Sequence, residues 1–346
     1  MRKILGAALL VSLSVVLSCS KAAKEGGKAH PTAASIGQTS EVVLVLGDAY
    51  QQSDLKDSLE ALLTCDMPGL PQSEPYFRVT RICTSIDKSE TKMMHSRLLV
   101  KIKEDAKEVT LGSANDVWAR PQLQLLLTAP SVEKLSEYLA QHGDYVRQLL
   151  MNNQLKNQTV SLARHHAEGL AKELKTQLGY TVDAPEELQY IKKGKDFVWA
   201  SSRTNEKQLN MVFYTLPYEG ENVTDAKVLA TLRDSVMKVN IPGRTPDQWM
   251  ETTWEEDVPI VTAAERKVGV YVNGVEQTSE SPRVATEMRG LWQMHNGAMG
   301  GPFVSISFVD TEAKKLVVAE GFVFSPSTSK RDLMRRLEAS LHTFRK

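Results

Sequence analysis

The chain has 346 residues, of which 42 are Lys or Arg and 42 are Asp or Glu, so its formal net charge is zero. Apolar residues make up 42% and charged residues 24%, the balance of an ordinary globular protein. A neutral chain has no bulk attraction for polyanions, which excludes a basic nucleic-acid binder; no collagen repeat, heptad array or long low-complexity tract is present.

The N-terminus reads as an address. Arg2 and Lys3 precede an apolar run over residues 4–17. That run is too short for a membrane span of about 20 residues and has the proportions of a secretory signal peptide. It ends in Val16-Leu17-Ser18-Cys19, which resembles a bacterial lipobox: a small residue for the peptidase, then a thiol to carry a diacylglycerol thioether. The expectation is a signal peptide over 1–18 and a mature chain anchored in a membrane through Cys19. Several acyl chains on one residue exceed the two signals that stable anchoring needs. Residues 19–40 follow as a flexible tether, since Ile36 is their only apolar residue larger than Ala after Cys19. Lys21 and Lys24, with no acidic cluster, point to an outer-membrane protein facing the periplasm.

The folded part begins with the aliphatic run 41–47, a strand buried on both faces. Leu55, Leu59, Leu62 and Leu63 then recur at helical spacing behind Ser53, a candidate N-cap. MPG (67–69) ends that helix, and strands are expected over 76–82, 97–103 and 122–128. Cys65 would close the helix and Cys83 the strand after it. A 12-residue helix is about 18 Å long while a disulfide needs Cα atoms within about 7 Å, so the two are expected to stay unpaired. Ala129-Pro130-Ser131 starts a helix with Leu135, Tyr138 and Leu139 inward. Gly143 is expected to separate it from a long helix over 144–179. His165 and His166, adjacent there, point about 100° apart and make a poor metal pair.

Beyond it, strands are expected over 197–200 and 210–215, a helix over 225–239, strands over 249–255, 267–272, 283–294, 303–309 and 316–324, and a last helix over 329–344. The turn 310–315 marks a hairpin. Strands run together between helices, which argues α+β with mainly antiparallel sheets packed by helices. The domain expectation is an N-terminal lobe over 41–142, a long connecting helix over 143–179 and a C-terminal lobe over 180–346. Both halves contain a helix ending in Pro-Gly before a strand, and a strand ending in a Pro-Ser step before a helix. This suggests an internal pseudo-repeat.

Several stretches together resemble an uncharacterised family of lipoproteins from the Bacteroidota, classed as a domain of unknown function: DMPGLPQSEP (66–75), FVWAS (197–201), RDSVMKVNIPG (233–243), EMRGLW (287–292), MGGPFVS (299–305) and EGFV (320–323). The resemblance implies a bacterial source and supports lipidation at Cys19. It carries no reaction, substrate or cofactor.

No nucleophile elbow, HExxH helix, phosphate-binding glycine loop or EF-hand occurs in the sequence, and no cofactor or metal is expected. Met288, Met294 and Met299 are too irregular for a thioether copper site and read as packing. The segment 289–303 is the most suggestive. Gly290, Gly297, Gly300 and Gly301 allow unusual backbone or close approach. Arg289, Trp292, His295 and Asn296 supply a cation, an aromatic face and hydrogen-bonding groups. Together with Gly300 and Gly301 they form the candidate ligand- or partner-binding set. The loop 68–75, with Gln72, Ser73 and Glu74, is a second candidate. The expected function is a non-enzymatic binding or assembly module of the cell envelope, for a protein partner or an envelope glycan. The alternative is a hydrolase or transferase on envelope glycan or peptide, with Glu287 and Glu320 as paired carboxylates.

Overall fold

The computed structural model describes residues 33–204, 206–255, 258–264, 271–272, 275–276 and 285–346. Cys19, the signal sequence and most of the tether lie outside the described residues. The fold is α+β, in two lobes.

The first lobe holds the short strand β1 (Ala33–Ala34), β2 (Glu41–Leu46), helix α1 (Asp54–Thr64), β3 (Arg78–Cys83), the one-turn helix α2 (Ser89–Lys92), β4 (Ser96–Ile102), β5 (Thr110–Asn115), β6 (Ala119–Arg120) and β7 (Leu123–Ala129). The main sheet has the order β3-β2-β4-β7-β5. Strands β3, β2, β4 and β7 are parallel and only the edge strand β5 is antiparallel. The antiparallel expectation therefore belongs to the second lobe. Continuous aliphatic strands such as Val42–Leu46 are the signature of a sheet covered on both sides. Val42, Leu44 and Leu46 meet Leu55, Leu59 and Leu63 of α1, while Val43 and Val45 face the opposite side with Ile82 and Met94. Each fully buried leucine contributes roughly 1.5–3 kcal/mol. Ser53 stands at the N-cap of α1, but its hydroxyl donates to the Tyr50 carbonyl rather than capping the helix. Cys65 and Cys83 are both free thiols.

Helix α3 runs unbroken from Val132 to Arg164, capped by the Ser131 hydroxyl. Gly143 thus does not end a helix. A Cβ there would stand 2.8 Å from Leu62 Cδ1, so the glycine serves the close crossing of α3 over α1. The break comes at His165, whose backbone leaves the helical region. Ala167 N–H then donates to Ala184 O, and α4 (Glu168–Leu178) starts in a new direction.

The second lobe adds β8 (Tyr190–Gly194), β9 (Phe197–Ser201), β10 (Gln208–Pro217), α5 (Ala226–Asn240), β11 (Met250–Thr253), β12 (Ile260–Ala264), the small pair β13 (Tyr271–Val272) and β14 (Val275–Glu276), β15 (Ala285–Met294), β16 (Gly300–Asp310), β17 (Lys315–Phe324) and α6 (Arg331–Leu341). The main sheet has the order β11-β15-β16-β17-β10-β9-β8, with β12 also on β15, and every pairing is antiparallel. The expected strand over 267–272 falls mostly on residues outside those described.

This sheet is covered on both faces. Val304, Ile306, Ala319, Val323, Leu209, Met211 and Phe213 pack under α4 and α6, with Phe344 among them. Met288, Trp292, Phe303, Val318, Phe322, Val212 and Tyr214 pack on the other face, under α5. Gly321 lets α6 lie close, since a Cβ there would come within 2.7 Å of Leu337 Cβ.

The pseudo-repeat does not survive. In the first lobe the strands flanking α1, β2 and β3, are parallel neighbours. In the second, the strands flanking α5, β10 and β11, stand at separate places in the sheet. Pro-Gly after a helix marks a common stop and not a shared ancestry of topology.

Helix α6 is the fastener between the lobes. Glu74, from the loop 68–75, accepts from the backbone N–H of Lys330 at 2.7 Å and of Arg331 at 3.0 Å, and from the Ser329 hydroxyl. A first-lobe carboxylate thereby satisfies orphan donors at the start of a second-lobe helix. Arg331 and Arg335 donate back to the carbonyls of Pro75 and Tyr76 at 2.9 and 2.6 Å. The second candidate loop is thus an inter-lobe clamp.

Candidate binding cleft

Strand alternation decides where the predicted residues go. Glu287, Arg289 and Leu291 of β15 point to one face of the sheet, and Met288, Gly290 and Trp292 to the other. Arg289 and Trp292 are therefore on opposite faces and do not form one site. Arg289 faces α6. Its Nε donates to Glu287 at 2.6 Å and its Nη2 to Glu338. Burial pulls the Arg289 pKa down, but the two carboxylates outweigh it and raise it further above the ordinary arginine range. This triad lies at the wall of a cavity of about 460 Å³ that Tyr76 of the first lobe and Arg147 and Met151 of α3 complete.

The expected pairing of Glu287 with Glu320 does not occur either. Register places Glu287 opposite Ile306, but Glu320 opposite Ser305, so the carboxylates face opposite sides. Glu320 is fully buried under α5, where Arg233 reaches it with Nε and Nη2, both at 2.8 Å. Arg233 also donates to Thr252 Oγ1 at 3.1 Å and lies over the Phe303 ring. Two carboxylates held on separate arginines are structural ion pairs rather than an acid–base couple.

Trp292 marks the real opening on this face. Its ring is 2% exposed, and its Nε1 donates to Val323 O at 3.3 Å. It forms the floor of a cleft of about 420 Å³ beyond the C-terminal end of α5. Trp199, Phe322 and Phe324 extend the aromatic floor, and Ile241, Met250, Met294 and Met299 add flexible apolar walls. Polar groups are few: Gln208 and Asn210 at one side, Arg244 and Gln248 at the rim. Asn210 Oδ1 accepts from Trp199 Nε1 at 3.1 Å, which fixes that indole. Apolar lining with a few placed polar groups is the usual make-up of a small-ligand or anchor-residue site.

The other predicted residues build the rim without lining the cleft. His295 stacks on Trp249 at 4.1 Å between centroids and 10° between planes, and its Nδ1 lies 3.2 Å from Glu251. Asn296 takes a positive φ of 52° in the turn between β15 and β16, and its amide reaches Asp247. Gly300 and Gly301 are strand glycines. A Cβ on Gly301 would stand 2.1 Å from Val323 O, so the close approach of β16 to β17 requires it. Of the glycine-rich segment, Trp292, Met294, Gly297, Ala298 and Met299 reach the cleft. Sequence reasoning missed Trp199, Gln208, Asn210, Phe322 and Phe324. Their shared parity along β9, β10 and β17 was the available signal. Among the described residues, no group of three or more His, Cys, Asp or Glu is placed to hold a metal ion.

Residues 168–343 match a family model described as a domain of unknown function, DUF4837. The chain belongs to this family. A second model, also a domain of unknown function, DUF8532, matches residues 35–163. The DUF4837 segment begins where α3 breaks, so it carries the whole eight-stranded sheet, α6 and the cleft. The cleft is thus a feature of the DUF4837 segment alone, while the Glu74 clamp joins the two segments. No curated protein and no solved structure matches the chain.

Proposed function

We propose that this protein is a bacterial cell-envelope lipoprotein, held through Cys19 on the periplasmic side of the outer membrane, that serves as a non-enzymatic binding module. The lipobox-like sequence ending at Cys19 supports the anchor, and no helix among the described residues is long and apolar enough to cross a membrane. The aromatic cleft floored by Trp292 carries the binding reading. Its lining favours an apolar side chain of a protein partner over a polar glycan, because only Gln208, Asn210, Arg244 and Gln248 offer hydrogen bonds. The turn over 295–299 would form its lip.

Filling the cleft tests this reading. Met299→Trp should occupy the cavity, leave the melting temperature within a few degrees and abolish capture of the partner from detergent-solubilised envelopes. Capture of the same proteins by the filled variant would sink the cleft as the binding site. Partition of the native protein into the aqueous phase of a detergent separation would sink the anchor.

A further inference from the structure

We infer that the loop carrying Val117 and Trp118 is a membrane-docking patch that seats the first lobe on the phospholipid surface to which the chain is tethered. This rests on the anchored reading given above. Strand β1 pairs with β6 in parallel, Ala33 opposite Ala119 and Ala34 opposite Arg120. Parallel pairing fixes direction. The chain arriving at Ala33 enters from the end of β6 at which Trp118 lies. Residues 20–32 are all that separates Cys19 from this point. Thirteen residues can reach at most about 45 Å even when fully extended. An anchor at Cys19 therefore keeps this loop within that reach of the bilayer.

The loop is built to present apolar groups outward. Trp118 is 49% exposed and Val117 42%, and Ile36, just beyond β1, is 45% exposed. Buried Gln122 holds the backbone beneath them. Its Oε1 accepts from Trp118 N–H at 3.0 Å, and its Nε2 donates to the carbonyls of Lys92 and Met94 at 2.6 and 2.7 Å. Asp116 closes the turn by accepting from Gln122 N–H at 2.9 Å. Lys92 Nζ lies 4.9 Å from the Trp118 ring centre. An indole flanked by a long cationic side chain suits the headgroup boundary, where the ring sits at the interface and the ammonium reaches phosphate. Arg120 is occupied by Asp116 at 3.4 Å, so the patch relies on Trp118 and Val117 more than on charge.

The test uses the full-length lipidated protein in vesicles of phosphatidylethanolamine and phosphatidylglycerol, with and without brominated acyl chains. Bromine should quench tryptophan emission of the wild type, and Trp118→Phe should lose most of that quenching while floating with the vesicles as before. Val117→Ser should weaken the quenching. Equal quenching of wild type and Trp118→Phe, or none in a protein that floats, would overturn the docking patch and leave the anchor standing. Detergent-phase partition of the native protein reads the anchor separately, and an aqueous result there would overturn both.

Discussion

The two faces of the eight-stranded sheet handle buried charge in different ways. Under α5, Glu320 and Arg233 are both fully enclosed and answer one another with two parallel hydrogen bonds. Under α6, Arg289 is shared between Glu287 and Glu338 and borders the inter-lobe cavity. The first arrangement locks a helix on a sheet within one lobe. The second sits where two lobes meet and keeps partial access to solvent. The face with the closed pair also carries the open aromatic cleft, so enclosed charge and exposed apolar surface lie a few residues apart on the same strands.

The largest effect should come from breaking the enclosed pair. Glu320→Leu leaves Arg233 buried with only the 3.3 Å contact to Asp234 and should cost about 3–5 kcal/mol, read from the urea midpoint. Adding Arg233→Met should restore most of the loss, because an apolar pair of similar volume replaces the ions. A double variant as unstable as the single would show that packing, not charge, dominates there.

On the other face, Arg289→Ala should cost less, about 2–3 kcal/mol, because water from the cavity can reach Glu287 and Glu338. A loss equal to that of Glu320→Leu would erase the distinction between the faces. Gly321→Ala probes how tightly α6 lies on the sheet. Its new Cβ meets the Leu337 backbone-proximal carbon, and the expected loss is about 2 kcal/mol by the same denaturation.

The smallest effect is pH-dependent. Asp310 lies on the α6 side, at the end of β16. A hydrogen bond from Lys346, with help from Ala313 N–H and the Tyr180 hydroxyl, outweighs burial and lowers its pKa from 3.8 to about 2. The folded state thus favours the ionised carboxylate. Its contribution is complete above the unfolded pKa and is lost as pH falls from about 4 to about 2. Lys346 is half exposed, so solvent screening trims the contribution to about 1–2 kcal/mol. Between pH 5 and pH 2 the wild type should lose that much more stability than Asp310→Asn. Parallel pH profiles would remove the assignment.

Much of this fold was legible along the chain. The aliphatic run 41–47, the leucine stripe of α1, the helix over 225–239 and the hairpin 303–324 follow from hydrophobic period alone, and the structure places each within a few residues. Strand β5 was not legible, because its sequence TLGSAN is polar and mostly exposed and it forms by borrowing the edge of β7. Strand β8 is similar, a lysine-bearing edge strand. For the site, the sequence picked out the segment that supplies Trp292 and the lip of the cleft. It wrongly joined Arg289 to Trp292, although an odd spacing within one strand already separates them.

The amino-acid sequence by itself determined the local events: the helices with an apolar stripe, the strands with a continuous or alternating run, and the glycines that close packing would require. These depend on neighbours within a few residues. Only the tertiary structure decided the partners. Parallel order in one lobe and antiparallel in the other, the capping of α6 by Glu74, the separation of Glu287 from Glu320 and the meeting of Trp199, Trp292 and Phe322 all join residues tens to hundreds of positions apart. Such contacts are set by which buried faces and charges can be satisfied together, a condition on the whole chain at once.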